Sequence, residues 1–405
     1  METAPNLGRE GALTTRALGS KVPSLLSSEE FPIQFSLAKQ EPTTFRVSGP
    51  GRARGIRRPR RVPQGLRVAL LLLIVVFISL TVAACGSGKS PSTTSTVTST
   101  TSPVMTPEKA RALHANEMGE IPVLMYHLIS HTNSQFNRTP DEFRKDIADL
   151  VADGYYPVNV RDLASGNLDV PAGKSPVVIT FDDSSEGQYR ILPDGSLDPN
   201  CAVAIMNQAA DGGGWAKRAS FYPLIDVMPP DHDIFGQPDL EQKKLRDLVA
   251  WGYEVGSHTV THLNLKKAYP QEASKQLEQS QATLESMIGA DYQVTSLALP
   301  FGEYPANDAI LASGTYQGHA YHYTAALKEA GGPAFSPFSS KFQALHINRI
   351  QVTGNTLKSV LALLNKHPEL RYVSDGDPTT IAAPRNLPAQ LGTLRSDLGR
   401  PVVRY

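Results

Sequence analysis

The chain predicts an α/β protein built on parallel strands, and two observations carry that expectation. Short apolar runs alternate along the sequence with segments whose apolar positions recur at three and four residues, the pattern of strand followed by helix. One of the runs, Val177-Val178-Ile179-Thr180-Phe181-Asp182-Asp183, ends on two adjacent carboxylates, so reactive side chains stand where a strand gives way to a loop.

Taken in order, the first strand is expected over Val123–Tyr126, an unbroken apolar run, and the first helix over Asp141–Asp153, where Phe143, Ile147, Leu150 and Val151 share a face. A second strand is expected over Pro157–Val160 and a third over Val177–Phe181, followed by a helix over Asn200–Ala210. Ala219–Tyr222 and Tyr253–Gly256 read as strands on either side of a helix over Leu240–Trp251. The long polar and apolar alternation over Gln271–Ile288 is the next helix, before a strand over Ser296–Leu299 and a short helix over Asn307–Ser313. Strands over Tyr323–Ala326 and His346–Ile350 and a helix over Thr356–Lys366 complete the series.

The whole chain has 405 residues, 40% of them hydrophobic, enough for one large domain with appendages. Its 39 basic and 39 acidic residues balance, which removes nucleic acid as an expected partner. Five parts are expected. Residues 1–67 are a basic, Pro-, Gly- and Ser-rich extension without periodicity, read as disordered and as a gene-model extension, because a signal peptide rarely begins so deep in a chain. Residues 68–85 form an apolar run after an arginine cluster and end in Val82-Ala83-Ala84-Cys85, a signal peptide with Cys85 as the lipid-modified residue; an uncleaved membrane helix is the competing reading. Residues 86–116 are a Ser/Thr/Pro-rich linker, 117–376 the enzyme domain and 377–405 a C-terminal tail. Either membrane reading puts the enzyme domain outside the cytoplasm, anchored at the outer face of the membrane. With Cys85 lipidated, Cys201 lacks an intrachain partner, so disulfides do not hold the fold. Gly86-Ser87-Gly88-Lys89-Ser90 lacks the earlier glycine and preceding strand of a phosphate loop.

The chemistry is concentrated in Asp182-Asp183 and His258-Thr259-Val260-Thr261-His262. Residues four apart on a helical turn share a face, so His258 and His262 can grip one cation from two directions. A carboxylate would complete a facial set with positions open for water and substrate, and Asp183 can then be the third ligand while Asp182 stays free as a base. Two imidazoles and one carboxylate favour Zn2+, although cobalt, nickel or iron fits the same set. Asp231-His232-Asp233, beside Pro229-Pro230, reads as an exposed loop.

Thr180-Phe181-Asp182-Asp183, Gly256-Ser257-His258-Thr259-Val260-Thr261-His262 and Leu299-Pro300-Phe301-Gly302 resemble the first three motifs of the polysaccharide deacetylases, the NodB-homology or carbohydrate esterase family 4 domain. The resemblance runs from about Ile121 to about Ser374, and Ile121-Pro122-Val123-Leu124-Met125-Tyr126-His127 is similar to the opening of the branch that acts on poly-N-acetylglucosamine. It implies a distorted (β/α)7-type barrel whose chemistry gathers at the C-terminal strand ends. It also implies removal of N-acetyl groups from an N-acetylglucosamine-containing polysaccharide of the envelope or its surroundings, with an acetylated glycan as partner and a divalent metal as cofactor. The backbone N–H of Phe301 would then serve the oxyanion. An O-acetyl esterase and a catalytically silent glycan-binding lipoprotein are the alternatives.

Two departures from the family pattern matter. Ala298 occupies the place of an arginine that tunes the catalytic Asp, and the motif supplying a leaving-group acid is only approximated by Ala344-Leu345-His346. His346 is the first choice of acid, ahead of His322 and His319. In Leu345-His346-Ile347-Asn348-Arg349-Ile350, Arg349 faces opposite to His346, and a buried arginine needs a carboxylate, so Arg349 is a candidate to pair with Asp182 from another strand, the ordinary alternative being a strand-end cap or a pair with a surface acid such as Glu329. Tyr189 and Trp215, in the long segment after the first motif, are candidates for stacking on sugar rings, with packing the more ordinary role.

Overall fold

The computed structural model describes residues 104–132, 135–226 and 233–405. Residues 1–67, the segment 68–85 with Cys85, most of the expected linker, and Asp231 and His232 lie outside the described residues.

Eight strands make the main sheet: β1 (Val123–Tyr126), β2 (Tyr155–Val158), β3 (Ser175–Asp182), β4 (Ser220–Tyr222), β5 (Glu254–Val255), β6 (Ser296–Ala298), β7 (Ala325–Gly331) and β8 (Ile347–Gln351). All are parallel, in the order β5-β4-β3-β1-β8-β7-β6. The eight-residue β3 takes β2 along its first half and β4 along its last residues. The two ends of the path meet just beyond β5, where Ser257 bridges Leu297 of β6: Ser257 N donates to Ser296 O at 2.9 Å and Ala298 N to Ser257 O at 2.9 Å. Seven strands therefore close into a barrel.

Strand parity sorts the side chains into two layers. Leu124 and Tyr126 of β1 and Val177, Ile179 and Phe181 of β3 point outward and pack with the surrounding helices. Those helices are α2 (Pro140–Ala152), α4 (Ala202–Asp211), α5 (Glu241–Trp251), α6 (Pro270–Ile288) and α8 (Thr356–Lys366), which follow α1 (Pro107–Leu113) and alternate with α3 (Val160–Ser165) and α7 (Ala309–Ala312). Val123, Val178, Ala298, Ala325, Leu327 and Ile347 point inward and fill the barrel. The same parity turns Thr180 and Asp182 of β3 and Arg349 of β8 into the interior, where both charged groups are buried. Charges so placed must find each other.

Several expected bounds shift for local reasons. The second strand is Tyr155–Val158 instead of Pro157–Val160, because Asn159 starts α3 and its N–H donates to Asp162 Oδ2 at 3.1 Å, the carboxylate returning to the first turn. The seventh begins at Ala325, not Tyr323, and the short helix shrinks to Ala309–Ala312. Ser313–Tyr316 and His319–His322 form an antiparallel hairpin instead. The linker ends earlier than 116: α1 starts at Pro107, with Thr106 Oγ1 accepting from Lys109 N, and its Ala110 is buried. The C-terminal segment is no loose tail either. Ile381–Ala383 pairs in parallel with Val402–Arg404, and Ala382 N donates to the buried Glu117 Oε2 at 2.9 Å. Among the described residues, no helix is long and apolar enough to cross a membrane.

Candidate metal centre

β3 ends on Asp182, and the next two residues, Asp183 and Ser184, take positive φ values of 68° and 58°. That left-handed turn resolves the difficulty of two adjacent aspartates on one strand: Asp182 stays in the barrel interior while Asp183 swings toward the loop after β5. Left-handed backbone is unfavourable for residues with a side chain and persists where surrounding structure over-determines it, commonly at functional sites. Of the eight non-glycine residues with positive φ among the described residues, four fall in the three motif segments, Asp183, Thr259, His262 and Phe301, and a fifth, Ser184, directly follows the first.

The histidine pair does not lie on a helix, contrary to the expectation from its spacing. Ser257 is held in the barrel wall, and the loop after it turns through Thr259 at φ 69° and His262 at φ 54°. α6 fixes this loop from outside. Gln276 Oε1 accepts from Val260 N and Thr261 N at 2.9 and 3.0 Å, Gln276 Nε2 donates to Thr261 Oγ1 at 3.0 Å, and Ser257 Oγ donates to Ser280 Oγ at 2.8 Å. Two left-handed residues thus do what a helical turn would have done, and the rings of His258 and His262 stand 4.9 Å apart.

Asp183, His258 and His262 offer ligand atoms that all lie within 4.8 Å of one another. Nε2 of His258 is 3.4 Å and Nε2 of His262 is 3.9 Å from Asp183 Oδ1. His258 Nδ1 lies 2.8 Å from Ala298 O, which assigns the ring's proton there and leaves Nε2 as a lone-pair donor. Asp183 Oδ1 is buried without a hydrogen-bond partner. An unprotonated carboxylate oxygen turned from water toward two imidazole nitrogens is satisfied by a cation held between them. The donor set fits a divalent ion.

The charges are tuned in opposite senses. Burial opposes ionisation of Asp182, but Arg349, His258 and His127 outweigh it and hold the carboxyl well below the usual range. Arg349 does so through a bidentate clamp, Nη1 to Oδ1 and Nη2 to Oδ2 at 2.8 Å each, with Nε donating to Lys328 O at 2.6 Å and Nη1 also to Thr180 Oγ1 at 3.2 Å. The arginine thus comes from β8, while Ala298 stands at the family's usual position. Burial and the neighbouring His258 push His262 down to about 4, keeping it neutral as a ligand must be.

Phe301 sits at φ 60° in the turn after β6, half-exposed, its ring 4.5 Å from that of His262. His346 is not brought to the aspartates: its Nε2 lies 2.8 Å from Asp308 Oδ2 and its ring stacks on Tyr304 at 4.4 Å. His319 and His322 are exposed on the hairpin. The histidine that does face the pair is His127, directly after β1, whose charge bears on both Asp182 and Asp183. Burial, the largest influence on it, lowers its pKa. Its position at the end of the first strand was the signal available in the sequence. Gln188, also missed, is fully buried and donates from Nε2 to His127 O at 2.7 Å and Asp182 O at 2.5 Å, joining the two strand ends. Tyr189 and Trp215 are buried packing residues, Tyr189 donating to Asp247 Oδ2 at 2.8 Å, and neither presents a face to a sugar.

The family model "Polysaccharide deacetylase" matches residues 213–320, which contain His258, His262 and Phe301 and follow the aspartate pair. The Bacillus subtilis (strain 168) protein named "Putative polysaccharide deacetylase YxkH" is 24% identical over 190 residues, 46% of this chain and 58% of that relative's length. Among solved structures, the Streptococcus pyogenes deacetylase PplD in complex with acetate is 23% identical, covering 60% of this chain and 97% of its own, with a TM-score of 0.45. IcaB from Ammonifex degensii is 18% identical, covering 60% and 96%, with a TM-score of 0.43.

Proposed function

We propose, from the premise that this chain carries a polysaccharide deacetylase domain of the NodB-homology type, that it is a metal-dependent hydrolase removing N-acetyl groups from an N-acetylglucosamine-containing polysaccharide. The observation that carries the reading is the orphaned Oδ1 of Asp183 facing two imidazole nitrogens, beside an Asp182 clamped in its ionised form.

Asp183, His258 and His262 would hold the ion, and two imidazoles with one carboxylate suit Zn2+. When bound, such an ion polarises an acyl carbonyl and lowers the pKa of water toward ~7. The remaining work belongs to the chain. Asp182, kept unprotonated by Arg349, is the general base that takes the proton of the attacking water. The backbone N–H of Phe301, in a turn beside His262, is the donor for the developing oxyanion. An amine leaves only if it is protonated, and His127, which follows the β1 residue paired with Phe181 and whose carbonyl shares Gln188 with that of Asp182, is the candidate to pass on that proton. An acid in that place is needed for an amide and dispensable for an ester, since an alkoxide leaves more readily than an amide anion. The arginine-rich lead, apolar run and Cys85 of residues 52–85 support an extracytoplasmic, lipid-anchored enzyme acting on envelope or extracellular glycan.

Mass spectrometry of N-acetylglucosamine oligomers, peptidoglycan fragments and O-acetylated glycan after incubation with the purified protein tests the reading. Acetyl loss from amide positions is expected; loss from ester positions alone replaces it with an esterase.

A further inference from the structure

β1 and β3 part at the candidate centre, and a side chain joins them where they do. The two strands pair in parallel up to Tyr126 opposite Phe181, which puts His127 opposite Asp182 at the next step of the register. Tyr126 and Phe181 point outward, so alternation turns both of the following side chains inward. There β1 ends. Leu128 N donates to Phe136 O at 2.9 Å, and the chain leaves to pair in parallel with Asn137–Arg138. Gln188 Nε2 donates to His127 O at 2.7 Å and to Asp182 O at 2.5 Å, so one amide group spans the two strand ends.

Gln188 is itself firmly placed. It is fully buried, its N donates to Ser185 O at 3.0 Å, and its O accepts from Val203 N of α4 at 3.1 Å. Gly187 beside it approaches the segment after β1 so closely that a Cβ would stand 1.9 Å from Ile129 O. Gln188 Oε1 is buried without a hydrogen-bond partner. Turning the amide over would set that oxygen against two carbonyl oxygens, so the fold bears the cost of a bare acceptor to keep both donors on the strand ends.

The two reactive side chains depend on this tie unequally. The Asp182 carboxylate is gripped by Arg349 through two contacts of 2.8 Å. The His127 ring makes no hydrogen bond among the described residues and meets the ring of Phe136 at 5.1 Å. Where the imidazole stands is therefore set by its backbone, and Gln188 holds that backbone.

We infer that Gln188 is a positioning residue, which keeps the His127 imidazole at the separation from Asp182 that amide cleavage needs. The inference rests on the deacetylase reading above. When the C–N bond of the tetrahedral adduct breaks, its electron pair goes to nitrogen and that nitrogen takes the proton of His127. A displacement of about 1 Å is enough to cost about 10²-fold in such a transfer. An aryl acetate has no such need, because its phenolate leaves as an anion.

The test compares kcat and KM for N-acetylglucosamine tetramer and for para-nitrophenyl acetate in the Zn2+-loaded protein. Gln188→Met keeps the side-chain length without donors, and Gln188→Asn keeps the amide on a shorter stem. Gln188→Met should lower the ratio of amide to ester kcat about tenfold or more, with tetramer KM within about twofold and metal content unchanged by elemental analysis. Gln188→Asn should lie between it and wild type, and carries the same comparison if Gln188→Met does not fold. Added to His127→Ala, Gln188→Met should deepen the loss on the tetramer by less than about twofold, since both changes remove one function. Equal losses on amide and ester, losses that multiply in the double variant, or an unchanged ratio beside a lowered Tm each overturn the positioning role and leave the deacetylase reading standing. A wild-type protein that releases acetate from the ester and none from the tetramer overturns the deacetylase reading itself.

Discussion

Replacing Arg349 should move the acidic limb of the pH–rate profile. The two side chains of the Arg349–Asp182 pair are 1% and 2% exposed and meet through two contacts of 2.8 Å, so solvent screens almost nothing. Removing one member of such a pair costs about 3–5 kcal/mol, which at about 1.36 kcal/mol per pH unit moves the Asp182 pKa up by about 2–4 units. In the native protein its pKa lies below the unfolded value, so its stabilising contribution is present above the ordinary carboxylate range and is lost as pH falls through the native pKa. In Arg349→Ala the sign reverses. Burial then dominates, the folded pKa exceeds the unfolded one, and the contribution is present at low pH and lost as pH rises. Activity should therefore lose its acid side, and the variant's Tm should fall most at neutral pH. Arg349→Lys keeps one charge without the bidentate geometry and should lie between. The assay is kcat/KM from about pH 4 to 9 beside thermal melts at the same values. An unshifted acidic limb with near-normal rate in Arg349→Ala would show that Arg349 does not hold Asp182 ionised.

Other substitutions separate the roles. Asp183→Ala, His258→Ala and His262→Ala should lose bound metal and activity together, and full metal occupancy in His262→Ala, read by elemental analysis, would remove it from the ligand set. Asp182→Asn should keep its metal and lose about 10²-fold or more in rate; loss of metal would exchange the two aspartates' roles. His127→Ala should weaken the alkaline limb, where a protonated acid is needed, while His346→Ala, whose partners are Asp308 and Tyr304, should leave that limb in place; the reverse pattern returns the acid to His346. Cys85→Ala should abolish incorporation of labelled fatty acid, and equal labelling would favour an uncleaved membrane helix.

Much of this was legible because strand parity and motif order are properties of the sequence itself. The apolar run into Asp182 marked β3, and the alternation in Leu345–Ile350 was enough to send Arg349 inward, where it meets Asp182. What stayed hidden depends on backbone conformations that the residue types disfavour. Thr259 is β-branched and His262 is bulky, so nothing in their identity announced left-handed turns, and the four-residue spacing read as a helix instead. His127 escaped notice because a lone histidine has no spacing partner; the parallel pairing of β1 with β3, Tyr126 opposite Phe181, sets it beside the aspartates. His346 misled for the converse reason, since local resemblance placed it and the stacking of Tyr304 decided its surroundings.

The most direct measurement is mass spectrometry of N-acetylglucosamine oligomers incubated with the Zn2+-loaded protein, with chelated protein, and with chelated protein given Zn2+ again. Stepwise loss of acetyl groups in the first and third samples, absent from the second, is the expected result. Equal loss in all three, or none in the loaded sample, would contradict a metal-dependent deacetylase built on Asp183, His258 and His262.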